Sequence, residues 1–241
     1  MGLNAQTAVP TFTASQVLTA AQQNQINTGI PVFATTTTRD AAFGGSNKTL
    51  AQGQYCYIEA SSQLQVYTGS AWQSVGTGLT YITQATPTAV ASVSINNCFT
   101  STFANYLLLI DMTAAVGDGV ITARLRSGGT DSNTNYVGQR LIGQATTVAA
   151  TANPSGTDDA YFSTIQATTA SSYALSSNIY SPALARGTVF NTFAGSNDGA
   201  GSVIQFVWNN HTTASAYDGI TVFTSGTSFT GTIRVYGYQN S

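Results

Sequence analysis

Short runs of alternating apolar and polar residues, separated by Gly, Ser and Asn turns, predict a mainly β protein over most of these 241 residues. Three observations carry that expectation. Residues 120–126 (VITARLR) place Ile121, Ala123 and Leu125 on one side of an extended chain, and Thr122, Arg124 and Arg126 on the other. Residues 202–209 (SVIQFVWN) alternate as well, Ile204, Phe206 and Trp208 opposing Val203, Gln205 and Val207. Helix signals are confined to one short segment near the start. The expected architecture is a short N-terminal helix, a small three-stranded β meander, then a C-terminal antiparallel β-sandwich of jelly-roll type. The corresponding domains span 1–30, 31–78 and 79–241.

The helix is expected over residues 19–27 (TAAQQNQIN). Thr19 and Gln22 have capping-box spacing, which satisfies two amide donors reciprocally. Gly29 can end the helix and Pro31 prevents its resumption. The Thr35–Thr38 run is β-branched throughout and is expected to form an extended connector. Residues 54–60, 64–67 and 71–75 are β-rich, with Ser61-Ser62 and Thr68-Gly69-Ser70 as turns between them, which gives the meander.

From Leu79 onward the expected strands are 79–84, 90–95, 105–113, 120–126, 136–147, 161–167, 177–181, 188–193, 202–209, 219–224 and 232–238. Residues 105–113 (NYLLLIDMT) are apolar on both faces apart from Asp111, so this strand is placed centrally. Asp111 in such a run calls for a partner, and Arg124 or Arg126 is the natural one. Many short strands with small-residue turns favour a sandwich.

Charge is scarce. Seven Lys+Arg and nine Asp+Glu give a net charge of −2 and a charged fraction of 7%, where about 25% is usual. One lysine and scattered arginines make no patch for neutralising phosphates, so nucleic-acid binding is not expected. The longest apolar run, five residues from Tyr106 to Ile110, falls far short of the roughly 20 needed for a membrane helix. No basic and then apolar leader opens the chain, so no Sec-type signal peptide is expected. Cys56 and Cys98 lie beside aromatic residues, outside any CxxC pair, and are expected to be buried free thiols.

The chemistry of catalysis is poorly supplied. His211 is the only histidine, and its polar surroundings (NNHTT) predict a solvated loop. Asp158-Asp159 lacks calcium-loop spacing and is expected to form an exposed turn. No G-x-S-x-G elbow, phosphate-binding loop or dinucleotide fingerprint is present. No catalytic residue, metal site or cofactor is therefore predicted.

Residues 12–27 (FTASQVLTAAQQNQIN) match the pattern F-x-x-G-x-V-L-T-A-x-x-x-N, with Ser15 in place of the glycine. Thr38-Arg39-Asp40-Ala41-Ala42-Phe43 follows, then Gln52-Gly53-Gln54-Tyr55-Cys56-Tyr57 and Val66-Tyr67-Thr68-Gly69-Ser70-Ala71-Trp72. This succession resembles the N-terminal part of tailed-bacteriophage minor tail and tail-fibre proteins, with Gln52 and Thr68 replacing the usual acids. Residues 125–129 (LRSGG), 217–223 (YDGITVF) and 231–238 (GTIRVYGY) are similar to segments of phage virion domains.

The resemblance implies a non-enzymatic virion component, assembled in the host cytoplasm and commonly a homotrimer. Other virion proteins would hold its N-terminal segment, where Phe12, Val17, Leu18 and Ile26 offer apolar anchors too few for a lone helix to bury. The distal domain would meet a host surface glycan or protein. Loops at 195–201 and 209–217 are the expected contacts, through Asn197, Asp198, Asn209, Asn210, His211 and Tyr217. A capsid decoration or head-fibre protein is the alternative, and a polysaccharide depolymerase is a third, which would need two carboxylates on one face.

Overall fold

In a computed structural model of the chain, residues 13–20, 29–43, 50–76, 78–152, 157–165, 173–198 and 201–239 are described. The fold is mainly β, and it divides into two units, Met1–Thr77 and Gly78–Ser241.

In the first unit the elements are β1 (Val32–Phe33), α1 (Thr36–Phe43), β2 (Tyr55–Ile58), β3 (Gln63–Tyr67) and β4 (Trp72–Ser74). The expected meander is β2–β3–β4. The parallel pairing of β1 with β2 adds a fourth strand, with Val32 opposite Tyr57 and Phe33 opposite Ile58. A parallel neighbour needs a crossover, and α1 supplies it.

That helix corrects the expected extended connector at Thr35–Thr38. Thr35 Oγ1 accepts a hydrogen bond from the Thr38 amide at 3.2 Å, and the Thr35 carbonyl accepts from the Arg39 amide at 3.1 Å. The run therefore begins with its own N-cap, which outweighs the modest helix penalty of β-branched residues. Burial of Ala42 and Phe43 against Phe33, Cys56 and Ile58 holds the helix in place. Phe43 meets Phe33 and Trp72 with ring centroids 5.7 and 5.4 Å apart, and the Arg39 guanidinium lies 5.1 Å above the Trp72 ring. Val17 and Leu18 are exposed. Phe12, Ile26 and nearly all of the expected 19–27 helix lie outside the described residues.

The second unit contains β5 (Leu79–Ala85), β6 (Ser92–Ile95), β7 (Asn105–Ala115), β8 (Gly119–Ser127), β9 (Thr130–Asp131) and β10 (Tyr136–Gln144). It continues with β11 (Thr147–Ala152), β12 (Ala160–Ile165), β13 (Tyr173–Tyr180), β14 (Arg186–Asp198), β15 (Gly201–Ser215), β16 (Gly219–Ser225) and β17 (Phe229–Tyr238). Eight strands form one sheet in the order β11-β10-β15-β14-β13-β7-β17-β5. A smaller sheet runs β12-β8-β16-β6, with β9 pairing β8. Both sheets contribute to one core, which includes Leu108 and Ile110 of β7, Ile121 and Leu125 of β8, Phe162 of β12 and Phe190 of β14.

Strand β8 follows its sequence pattern: Ile121, Ala123 and Leu125 are fully buried. The expected strand at 136–147 is divided by a turn into β10 and β11. Strand β7 lies inside the large sheet between β13 and β17, but only one of its faces is fully buried. Tyr106, Leu108, Ile110 and Met112 enter the core, while Leu107 and Leu109 stay half-buried on the opposite face. Asp111 is exposed on that outer face, so water solvates it and the expected ion pair is not required. The arginines bond elsewhere: Arg124 with Asp159 at 3.7 Å and Arg126 with Asp131 at 2.5 Å. Asp159 is thus drawn into an ion pair and does not sit in a wholly exposed turn. Both cysteines are buried free thiols, and burial pushes the Cys98 thiol up to about 12.

Gly237 of β17 lies directly against the Phe103 ring, and a Cβ at this position would overlap it. Gly237→Ala is expected to cost about 1–3 kcal/mol by overpacking, read as a lower urea midpoint. An unchanged midpoint contradicts the close approach.

Candidate interaction face

Strand β15 alternates in the sense opposite to what hydrophobicity alone favours. Its inward residues are Val203, Gln205, Val207, Asn209 and His211, all buried. Its outward residues include Ile204, Phe206 and Trp208, which are 57%, 51% and 40% exposed.

The inward amides are satisfied across the core by β12. Gln205 Nε2 donates to Ser163 Oγ at 2.9 Å and to Thr164 Oγ1 at 2.8 Å. Gln205 Oε1 accepts from the Tyr161 hydroxyl at 3.2 Å and from the Thr164 amide at 3.4 Å. Asn209 Nδ2 donates to the Tyr161 carbonyl at 2.8 Å. A bulge between Tyr161 and Ser163 in the β12–β8 ladder accompanies this seam. Arg140 of β10, opposite Val207 between the two amides, donates from Nη1 to the Tyr161 hydroxyl at 2.7 Å with its guanidinium 5.2 Å from the ring centroid. Burial raises the Tyr161 phenol pKa, and the Arg140 charge partly opposes it.

Farther along the inward face stands His211, with no solvent exposure. Its Nε2 lies 3.0 Å from Ser132 Oγ and its Nδ1 lies 3.4 Å from the Tyr217 hydroxyl. The Tyr136 ring packs edge-on, 4.4 Å between centroids. Burial lowers the imidazole pKa from 6.5, and the backbone of Thr134 and Thr213 offsets part of that. A phenol, rather than a carboxylate, faces Nδ1. Tyr136 ties the cluster to the core: its hydroxyl accepts from the Leu125 amide at 2.9 Å and donates to the Ser132 carbonyl at 3.1 Å.

These positions correct the expected surface loops. Residues 209–215 continue β15, so Asn209 and His211 are interior strand residues, and Tyr217 is buried just beyond. Burial removes all three side chains from the surface. Asn210 is half-buried. The expected loop at 195–201 belongs largely to the β14–β15 hairpin, where Asn197 pairs with Ser202 and Asp198 with Gly201. The side chains of Asn197 and Asp198 lie outside the described residues. Among the described residues, no three His, Cys, Asp or Glu side chains group to hold a metal ion.

What the inverted alternation creates is an apolar outer face. Directly paired residues of adjacent strands share a face, and Leu141, Phe206 and Phe193 pair successively across β10, β15 and β14. Ile204 and Trp208 flank this row on β15, and Val137 and Val148 lie farther out on β10 and β11. Between Val189 and Gly195 on β14, Val203 and Asn210 on β15, and Val137 and Gly143 on β10, the outward positions carry no ionisable side chain. No sequence motif marked this face. Its only signal is that Ile204, Phe206 and Trp208 alternate with a set containing Gln205 and Asn209. No protein-family model matches this chain, and no curated protein does.

The buried imidazole makes stability depend on pH with a definite sign. The unfolded chain protonates His211 near 6.5 and the folded chain only below that, so lowering the pH favours the unfolded state. This contribution is complete above about pH 6.5 and is lost as pH falls through the folded-state pKa. The thermal midpoint of the wild-type chain should therefore fall more steeply from roughly pH 6.5 to pH 5 than that of His211→Asn. Parallel profiles contradict a neutral, buried His211.

Proposed function

We propose that this chain is a structural, non-enzymatic component of a tailed-bacteriophage virion, a tail-fibre or minor tail protein. Residues 1–30 anchor it to other virion proteins through Phe12, Val17, Leu18 and Ile26, and the second unit is presented for contact with a host surface glycan or protein. The protein works as a homotrimer, and the two sheets of the second unit form a jelly-roll-like sandwich.

The observation that carries this reading is the uncharged apolar face built around Leu141, Phe193 and Phe206. Monomers rarely expose contiguous apolar surface of this kind, whereas permanent assemblies cover it. The low charge content agrees with that, since charged surfaces keep free monomers soluble and apart. The phage assignment itself rests on the sequence pattern of residues 12–27 and of the segments to Trp72. Host contact on this reading falls to exposed loops of the second unit and not to Asn209, His211 and Tyr217, which are interior.

Quantitative mass spectrometry of purified phage particles whose genome encodes the chain tests the reading. A few copies per particle, matching tail symmetry, are expected. A much larger number, in proportion to the capsid, would move the protein to the head as a decoration or head-fibre protein, and absence from the particle overturns the virion role. The soluble full-length chain should also compete with particles for adsorption to host cells. Failure to compete removes the host-recognition part.

A further inference from the structure

We propose that the outer face of β10, β11, β14 and β15 is the self-association surface of the homotrimer, packed against the other copies of this chain about the three-fold axis. The inference rests on the assembly reading above and names the partner and the surface.

Area is the first argument. Large aromatic side chains present roughly 150–250 Å² each when fully exposed. At their observed exposures, Leu141, Val148, Phe193, Ile204, Phe206 and Trp208 together leave on the order of 700 Å² in water. A stable interface of standard size needs about 800 Å² from each partner. The apolar side chains alone therefore come close to one full half of an interface, before the polar rim is added.

Chemistry is the second argument. A face without ionisable groups offers nothing to a charged partner and nothing that repels a copy of itself. Such faces can pack against one another from copy to copy without opposing like charges. Phe206 lies in the middle of the row, with Leu141 and Phe193 directly beside it. Such a central aromatic is the usual anchor of an interface.

The third argument is the sheet edge that adjoins the face. Strand β11 is terminal in the large sheet and pairs only with β10 among the described residues. Val148, Ala149 and Ala150 are all exposed, so both of its faces meet solvent. Its sequence, TVAATA, contains no charge and no proline. Edge strands of free monomers are ordinarily guarded by such residues. The unguarded edge is continuous with the apolar face, and a second copy would cover both.

Sedimentation velocity of the full-length chain and three variants tests this. The wild-type chain is expected to sediment as a trimer at micromolar concentration. Phe206→Glu and Leu141→Glu should each sediment as single chains with unchanged far-ultraviolet circular dichroism, since both positions are exposed within one copy. Val116→Glu, an exposed apolar residue in the turn after β7, should retain the oligomer. A monomeric wild-type chain overturns the proposal, as does an oligomer that survives both charged substitutions or is lost equally in Val116→Glu. If Phe206→Glu fails to fold, Leu141→Glu on the neighbouring strand decides. A monomeric chain that is nevertheless found in virions would overturn self-association alone. An oligomer disrupted by Phe206→Glu, in a chain absent from particles, would overturn the virion role alone.

Discussion

Gln205 and Asn209 carry amides into the space between two sheets, where each polar atom left without a partner costs about 1–3 kcal/mol. Strand β12 supplies the partners: the Tyr161 hydroxyl and carbonyl, the Ser163 and Thr164 hydroxyls, and the Thr164 amide. This seam fixes which side of β15 faces inward. Side chains on a strand alternate with a period of two, so a strand that points Gln205, Asn209 and His211 inward must point Ile204, Phe206 and Trp208 outward. The apolar outer face is thus the geometric counterpart of the polar seam. Shifting the strand by one residue would bury the aromatic face and expose the amides, but it would strand the polar groups of β12.

The same constraint links the histidine to the fold. His211 lies on the inward side because Gln205 does, six residues earlier on the same face. Tyr136 sits opposite it in the β10–β15 pairing and holds Ser132 and Leu125 through one hydroxyl. The imidazole lies in a cluster with Ser132, Tyr136 and Tyr217. The amides of Gln205 and Asn209 and the ring of His211 find partners within one copy, whereas no layer among the described residues covers Ile204, Phe206 and Trp208. That asymmetry is what the proposed assembly rests on.

Much of the strand pattern was legible because local alternation and burial agree. Ile121, Ala123 and Leu125 are apolar, alternate with polar residues and enter the core. The meander was legible because β-rich runs and turn residues coincide. Helix α1 was not, because a single Thr35 cap and the docking of Phe43 outweigh the three β-branched residues that follow the cap, and neither is visible in propensity. The length of the β14–β15 hairpin was hidden for a related reason. Asn, Ser and Gly are common in turns, yet Asn209 and His211 occupy a strand because partners in β12, Tyr136 and Tyr217 satisfy them. The direction in which β15 faces depends on a strand about forty residues away in sequence, and local pattern carries no information about it.

Thiol labelling at two adjacent positions tests the inverted strand and its covering most directly. Cys56 and Cys98 are buried, so a cysteine introduced at Phe206 or at Val207 reports its own accessibility. Phe206→Cys should label quickly in dilute solution and become protected as concentration rises, while Val207→Cys stays protected at every concentration until the chain unfolds. Faster labelling at position 207 than at position 206 in dilute solution would contradict the inversion, and with it the account of the outer face.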